Sequence, residues 1–267
     1  MNCEKISKHI SKWIENKVEE SRQKGLVVGV SGGIDSAVVS TLCARTRFPV
    51  IVLSMPIHQV QTQVNNAMEQ IHWLKKNYSN VTDYEVNLTH AFEEFKRSLP
   101  ENAKAELAMV NTRSRIRMAA LYAFANSNNA LVCGTGNKIE DYGVGFFTKY
   151  GDGGVDMNPI GDLLKSEVYE LAAYLDVPKS IQQAKPTDGL WEEDRTDEDQ
   201  IGATYDEIEW AMKYCYENKI EKFNFFEFKE KMNERQLKVL EIYLKRHNNN
   251  LHKMEMPPVC VLTGLKE

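Results

Sequence analysis

The sequence predicts an α/β fold: a doubly wound, mainly parallel sheet flanked by helices, with a helical C-terminal extension. Three observations predict it. Short apolar runs suited to buried strands alternate with longer stretches of helical period. The first run ends in a Gly-Gly turn that opens a helix, Gly29-Val30-Ser31-Gly32-Gly33-Ile34-Asp35-Ser36. The fourth ends in Gly134-Thr135-Gly136 and a long loop over 134–154. Both loops then fall at the carboxyl edge of one sheet, where such folds bind ligands.

Ile6, Ile10, Trp13, Ile14 and Val18 recur at helical spacing, so an amphipathic helix over 3–22 leads in. A strand over 26–30 and a helix to about 45 follow. A second strand is expected over 49–53, a helix over 60–76 and a third strand over 81–86. Helical patterns then cover 88–98 and 103–126 before the apolar Ala130-Leu131-Val132-Cys133. The arginines at 113 and 117 share a helical face and Arg115 points elsewhere, while 118–124 is apolar nearly all round and reads as buried. Beyond Pro159, helices are expected over 165–175, 205–216 and 225–246, with Asn248-Asn249-Asn250 breaking the chain. The polar stretch 185–199 reads as a surface loop. Its part over 185–194 and the glycine-rich 143–154 are candidate moving lids. Strand order is not readable. The chain is expected to be one domain over 1–267: an N-terminal helix (1–24), an α/β core (25–160) and a mostly helical extension (161–267).

With 42% hydrophobic and 27% charged residues, the 267-residue chain has the composition of an ordinary globular protein with a sizeable core. A net charge of −5 argues against a nucleic-acid partner, which would need a basic face. Five scattered cysteines without a CxxC pair argue against zinc or a redox dithiol, and for reduced thiols in the cytoplasm. No apolar run approaches a membrane span, so no membrane partner is expected.

The Gly-Gly turn has the chemistry of a phosphate cradle. A helix N-terminus offers backbone N–H groups without intrahelical acceptors and the positive end of the dipole, and glycine lets the backbone approach closely. It is neither a Walker loop nor a GxGxxG fingerprint. Ser31-Gly32-Gly33-Ile34-Asp35-Ser36 instead resembles the PP-loop of N-type ATP pyrophosphatases, which implies a Rossmann-like, adenine nucleotide alpha hydrolase-like fold.

A second group of motifs narrows the resemblance. Gly143-Val144-Gly145-Phe146-Phe147-Thr148-Lys149-Tyr150-Gly151-Asp152-Gly153-Gly154, then Asp156 and Asn158-Pro159, closely resembles the NAD synthetases. So do the stretch 111–118, Gly134-Thr135, Lys185-Pro186-Thr187 and Thr204-Tyr205-Asp206-Glu207-Ile208, in the family's order across 29–253. The resemblance implies a C–N ligase in which ATP adenylates the nicotinate carboxylate of deamido-NAD, releasing pyrophosphate, and ammonia then displaces AMP to form NAD. A homodimer and Mg2+ are implied with it. Only 28 residues precede Gly29, so no glutamine amidohydrolase domain is expected and ammonia is the expected nitrogen source.

Carried over residue by residue, the resemblance implies ATP contacts at Gly29, Val30, Ser31, Gly32, Gly33, Ile34, Asp35, Ser36, Thr135, Lys165 and Thr187. It implies metal ligands at Asp35 and Glu140, contacts to deamido-NAD at Arg115, Lys149, Asp156, His252 and Lys253, and catalytic roles for Asp35, Lys149 and Lys165. Asp35 and Glu140 also fall on the two predicted cleft loops. Lys165 falls at a helix start, a poor place for a cation on dipole grounds, which favours a phosphate-facing role over a structural one. One departure stands out: Gly136-Asn137 occupies positions where many relatives carry an acidic residue and a His. Asn137 and Asp141 are therefore expected to reshape the ammonia pocket, and no general base is assigned. The alternatives are another PP-loop amidating or thiolating enzyme, or a nucleotide-binding sensor without turnover.

Overall fold

The computed structural model describes residues 1–187, 196–263 and 265. Helix α1 (Cys3–Glu20) places Ile10, Ile14 and Val18 on one buried face, and the Asn2 side chain caps it by accepting from Lys5 N–H at 3.0 Å. There follow β1 (Gly25–Gly29), α2 (Ile34–Ala44), β2 (Val50–Ser54), α3 (Gln61–Asn77), β3 (Val81–Glu85), α4 (Thr89–Ser98), α5 (Glu106–Asn128) and β4 (Ala130–Cys133). All three strand pairings are parallel, in the order β3-β2-β1-β4. Leu26, Val27 and Val28 of central β1 are fully buried, which is why this strand reads as an unbroken apolar run. Edge strand β3 buries only Val81, and most of its other residues are polar and at least partly exposed.

Helices cover both faces. Residues of α1, α2 and α3 join the sheet in one apolar cluster, together with α6 (Lys165–Tyr174) and α7 (Lys179–Gln183). On the other face Leu121 and Ala125 of α5 pack against Val27, Leu53 and Val132. From β1 the chain winds outward through β2 and β3, then returns to add β4 on the opposite side. The crevice between the carboxyl ends of β1 and β4 is therefore the topological switch point, the position that selects ligand sites in sheets of this kind.

The C-terminal helices α8 (Asp197–Ile201), α9 (Tyr205–Asn218), α10 (Phe225–Phe228) and α11 (Glu234–Met254) share a second apolar cluster with Ile139 and Val144 from the segment after β4. Among the described residues no helix is long and apolar enough to cross a membrane.

Several expectations need correction. The expected helix over 225–246 is two helices, because Asn233 caps a new one with Gln236 in a reciprocal box. The three asparagines at 248–250 do not break α11: Asn250 Nδ2 bonds Val144 O and Arg246 O, both at 2.9 Å, and the helix continues to Met254. The polar stretch 185–199 gains helix α8 at its end, where Thr196 and Asp199 form another capping box; residues 188–195 of that reading lie outside the described residues. The apolar 118–124 stretch is only half-buried, since one side of α5 covers the sheet while Ala119 and Ala123 face outward.

Candidate active site

The cradle after β1 forms as its glycines require. Gly32 has φ +91°, and a Cβ there would lie 2.4 Å from Gln63 O, so only glycine lets the turn pass α3. Gly33 keeps an ordinary φ of −88° and is the N-cap of α2. The first helical bond runs from Ala37 N–H to Gly33 O at 3.2 Å, and the preceding amides are the N-terminal set with no intrahelical acceptor. Ser36 Oγ donates to Gly33 O at 2.9 Å and lies 3.1 Å from Ser31 Oγ, which fixes the loop around that open end.

After β4 the chain does not form the expected open loop. Lys138–Val144 make one π-helical turn, capped by Asn137, whose Oδ1 accepts from the amides of Ile139 and Glu140, both at 3.0 Å. The same Asn137 donates from Nδ2 to Asp35 Oδ1 at 3.1 Å, joining the two loops across the crevice. A π-helical turn is rare and recurs at functional sites.

Three charged groups meet at this junction. Lys165, the first residue of α6 and 3% exposed, places Nζ 2.6 Å from Asp35 Oδ2 and 2.9 Å from Glu140 Oε1. Its unfavourable position on the helix dipole is thus offset by two carboxylates, and its ammonium sits 5.0 Å from the Tyr205 ring centroid. The Tyr205 hydroxyl donates to Glu140 Oε1 at 2.6 Å and lies 3.2 Å from Asp197 Oδ2. Burial raises the Asp35 pKa against the pull of Lys165. At Glu140 burial pushes upward too, but Lys165, Tyr205 and Asn137 outweigh it and hold the carboxyl below its ordinary value. The two carboxylates keep the Lys165 pKa raised, so the ammonium stays charged.

The crevice is lined by 29–36 of the cradle and by Thr135, Glu140, Lys165 and Thr187, so all the expected ATP and metal residues come together. The expected deamido-NAD residues do not line it. Four of them gather where α5, the 143–154 segment and the end of α11 meet. Arg115 Nε donates to Lys149 O at 3.3 Å, Lys149 Nζ bonds the carbonyls of His252 and Glu255, and Lys253 Nζ bonds Gly145 O and Phe147 O at 2.7 and 2.8 Å. Asp156 stands apart, accepting from Val132 N–H at 2.8 Å and from the Tyr122 hydroxyl at 3.0 Å. The glycine-rich 143–154 segment is tied down, by Lys253 and by Asp152, whose Oδ1 accepts from Ser114 Oγ at 2.6 Å and Thr148 N–H at 3.0 Å. The arginines separate as their spacing predicts. Arg113 is buried over the Phe92 ring, Arg117 lines the crevice and bonds Met55 O and Gln59 Oε1, and Arg115 is exposed.

The chain matches the family model described as NAD synthase over residues 6–257. The chain belongs to the NAD synthase family.

Family relatives agree along the whole chain. It is 40% identical to the NH(3)-dependent NAD(+) synthetase of Archaeoglobus fulgidus over 269 residues, covering 99% of this chain and 100% of that one. The same-named enzyme of Alkaliphilus metalliredigens is 39% identical, over 92% of this chain and 94% of its own. Among solved structures, NMN synthetase from Francisella tularensis superimposes with a TM-score of 0.81 at 32% identity, covering 97% of this chain and 99% of that chain. The NH3-dependent NAD synthetase of Campylobacter jejuni gives 0.77 at 28%, covering 98% and 100%.

Family motifs alone did not single out four cleft groups. Tyr205 sits in the quoted Thr204-Tyr205 motif, but nothing in that string says its hydroxyl reaches Glu140. Asn137 and Asp141 were visible only as departures from the family pattern. Asp152 lies inside the glycine-rich motif, and its bond from Ser114 Oγ joins residues 38 apart in the chain. The structure gives the Gly136 departure a physical sense: a Cβ at 136 would lie 1.9 Å from Asp141 Oδ2, so the Asp141 carboxyl fills the space that a side chain there would need.

Proposed function

We propose that this chain is an ammonia-dependent NAD synthetase, a ligase that uses ATP to adenylate the nicotinate carboxylate of deamido-NAD and lets ammonia displace AMP. The observation that carries the reading is the Asp35–Lys165–Glu140 junction beside a helix N-terminus, in a chain of the NAD synthase family. A carboxylate is a poor electrophile until one oxygen becomes part of a leaving group, and adenylation supplies that. Charge then accumulates on the departing pyrophosphate, so the site needs N–H donors and cations where the phosphates lie.

In this reading the amides of 33–36, with Ser31, Thr135 and Thr187, hold the ATP phosphates. Lys165, kept charged by its two carboxylates, supplies fixed positive charge beside them. Asp35 and Glu140 present hard oxygens that already converge on one cationic nitrogen, and this donor set fits Mg2+, which is commonly held by one or two carboxylates with phosphate oxygens and water. Bound there, Mg2+ would neutralise charge on the phosphates. Arg115, Lys149, His252 and Lys253 form a basic group for deamido-NAD, Asp156 contributes from its separate place against β4, and Lys149 serves as a second catalytic cation.

The homodimer belongs to the same reading, with the dinucleotide at the subunit interface. The outward side of α5, with Leu107 exposed, and the exposed Met256, Val259 and Val261 offer apolar surface for a second copy. The chain acts as one domain in the cytoplasm, in accord with its five free thiols.

The likeness to an NMN synthetase supports a second reading, in which the acceptor is the deamidated mononucleotide. One assay decides between them: magnesium-ATP and ammonium with deamido-NAD or with nicotinate mononucleotide, and glutamine as a parallel nitrogen source. NAD, AMP and pyrophosphate in equal amounts from ammonium are expected. Preferential amidation of the mononucleotide would overturn the first reading in favour of the second. No ATP cleavage with either acceptor would overturn both.

A further inference from the structure

We propose that Asn137 is a positioning residue of this cleft, which holds the Asp35 and Glu140 carboxylates in one fixed register and so selects Mg2+ over a larger divalent cation such as Ca2+. The inference rests on the ligase reading above and on the fit of Mg2+ to those two carboxylates. It gives a role to a side chain outside that donor set.

Asn137 is fully buried between the two cleft loops. Its Oδ1 accepts from the amides of Ile139 and Glu140, both at 3.0 Å, so its nitrogen faces the cradle and donates to Asp35 Oδ1 at 3.1 Å. The reversed amide would set its NH2 against two N–H donors and its oxygen against a carboxylate, so the surroundings fix one orientation. The backbone is fixed as well. Asn137 O accepts from Asp141 N–H at 3.0 Å, and the Lys138 N–H beside it donates to Leu163 O at 2.9 Å. One short side chain thus links the amide of Glu140 to the carboxyl of Asp35.

Lys165 also links the two carboxylates, but as a cation on a flexible four-carbon stem. A divalent cation at the same oxygens repels that ammonium, so the lysine link weakens just when a metal is held. Asn137 is neutral, and it takes Oδ1 of Asp35 where Lys165 takes Oδ2, so its link persists.

The register suits a small ion. Asp35 Oδ2 and Glu140 Oε1 lie 2.6 and 2.9 Å from one nitrogen, so they already converge on a single small cation. Mg2+ demands near-ideal octahedral geometry at short distances, whereas Ca2+ takes more ligands in a flexible arrangement. Carboxylates that cannot move apart favour the first ion, and carboxylates released from each other admit the second. Groups that orient a metal ligand typically change metal affinity by about 10–100-fold.

The test compares wild type with Asn137→Ser and Asn137→Ala. Serine caps a helical turn about as well as asparagine but is too short to reach Asp35, so it removes the link and keeps the cap. Calorimetry measures the affinity of each protein for an ATP analogue with a non-hydrolysable α–β bridge, saturated with Mg2+, saturated with Ca2+, or kept metal-free with EDTA. Melting curves are recorded alongside, with labelled pyrophosphate exchange into ATP. Asn137→Ser should melt close to wild type and bind the Mg2+ complex about 10–100-fold more weakly, with a much smaller change for the Ca2+ complex and the metal-free analogue. Exchange should then need more Mg2+, a rise in its KM rather than a fall in the rate at saturation. Asn137→Ala should lose the same preference and also melt lower. Wild-type affinity for the Mg2+ complex in Asn137→Ser would overturn the inference and leave Asn137 a cap alone. Equal losses for all three forms of the analogue, in step with melting, would overturn it as a merely structural effect. A wild-type enzyme that binds the three forms alike would overturn the metal assignment beneath it, and one without exchange on either acceptor would overturn the ligase reading itself.

Discussion

Lys165 and Asp35 are 130 residues apart in the chain and 2.6 Å apart in space, and the same ammonium reaches Glu140 at 2.9 Å. This junction ties the first turn of α2 to the first turn of α6 and to the π-helical turn after β4. All three groups are largely removed from water, so their net contribution is small when all are present and the cost is large when the cation that both carboxylates share is removed.

Lys165→Met leaves two buried carboxylates facing each other without a cation. Unfolding in urea should show a loss of about 3–5 kcal/mol, together with loss of ATP cleavage. An unchanged midpoint would mean that water or another group replaces the ammonium without cost.

Asp35→Ala should behave differently. Lys165 keeps Glu140 as its partner, so circular dichroism and the melting curve should remain close to wild type while turnover is abolished. Full activity in this variant would remove Asp35 from the metal assignment.

Tyr205→Phe removes the hydroxyl that donates to Glu140 at 2.6 Å. The carboxylate loses a charge-assisted hydrogen bond, typically about 1.5–3 kcal/mol, and its pKa should rise. We expect a higher KM for magnesium-ATP, most marked at the acid end of the pH range, where Glu140 would now protonate. A KM unaffected by pH would detach Tyr205 from that carboxylate.

The Asp141 pKa, raised in the folded chain by burial and by Asp152, Glu140 and Asp35, gives a signed stability prediction. The folded state holds a proton that the unfolded chain releases near the ordinary value of 3.8. The stability from this group is therefore complete below that value and is lost as pH rises through the folded pKa. Melting temperature should fall with rising pH over that window, and Asp141→Asn should flatten the slope. A steeper slope in the variant would reverse the sign.

Glu207 makes the opposite case on the surface. Arg235 Nε and Nη2 bond its two oxygens at 2.7 and 2.5 Å, and that contact lowers its pKa to about 2. The pair links the start of α9 to α11, and its contribution is present above pH 4.5 and lost as pH falls toward about 2. Arg235 is exposed and Glu207 partly so, and solvent screens the pair, so Arg235→Ala should change stability only slightly at neutral pH, and salt should erase the difference. A large loss that persists in high salt would show a packing role.

The sequence by itself determined the α/β alternation, the parallel sheet, the cradle after the first strand and the loops that line the crevice, because each rests on local chemistry. Apolar runs of strand length, a glycine at φ +91° and apolar residues at helical spacing are constrained by their own neighbours in the chain. Only the tertiary structure decided the rest. Strand order, the π-helical turn, the unbroken α11 through three asparagines and the pairing of Lys165 with both carboxylates depend on contacts between distant segments. Asn250, for example, looks like a helix breaker until Val144 O is placed 2.9 Å from its amide. Asp141 looks like a solvated acid until Gly136 is found beneath it. Periodicity encodes which face of an element is apolar. What that face meets, and which polar group is left without a partner, is settled only when the elements pack.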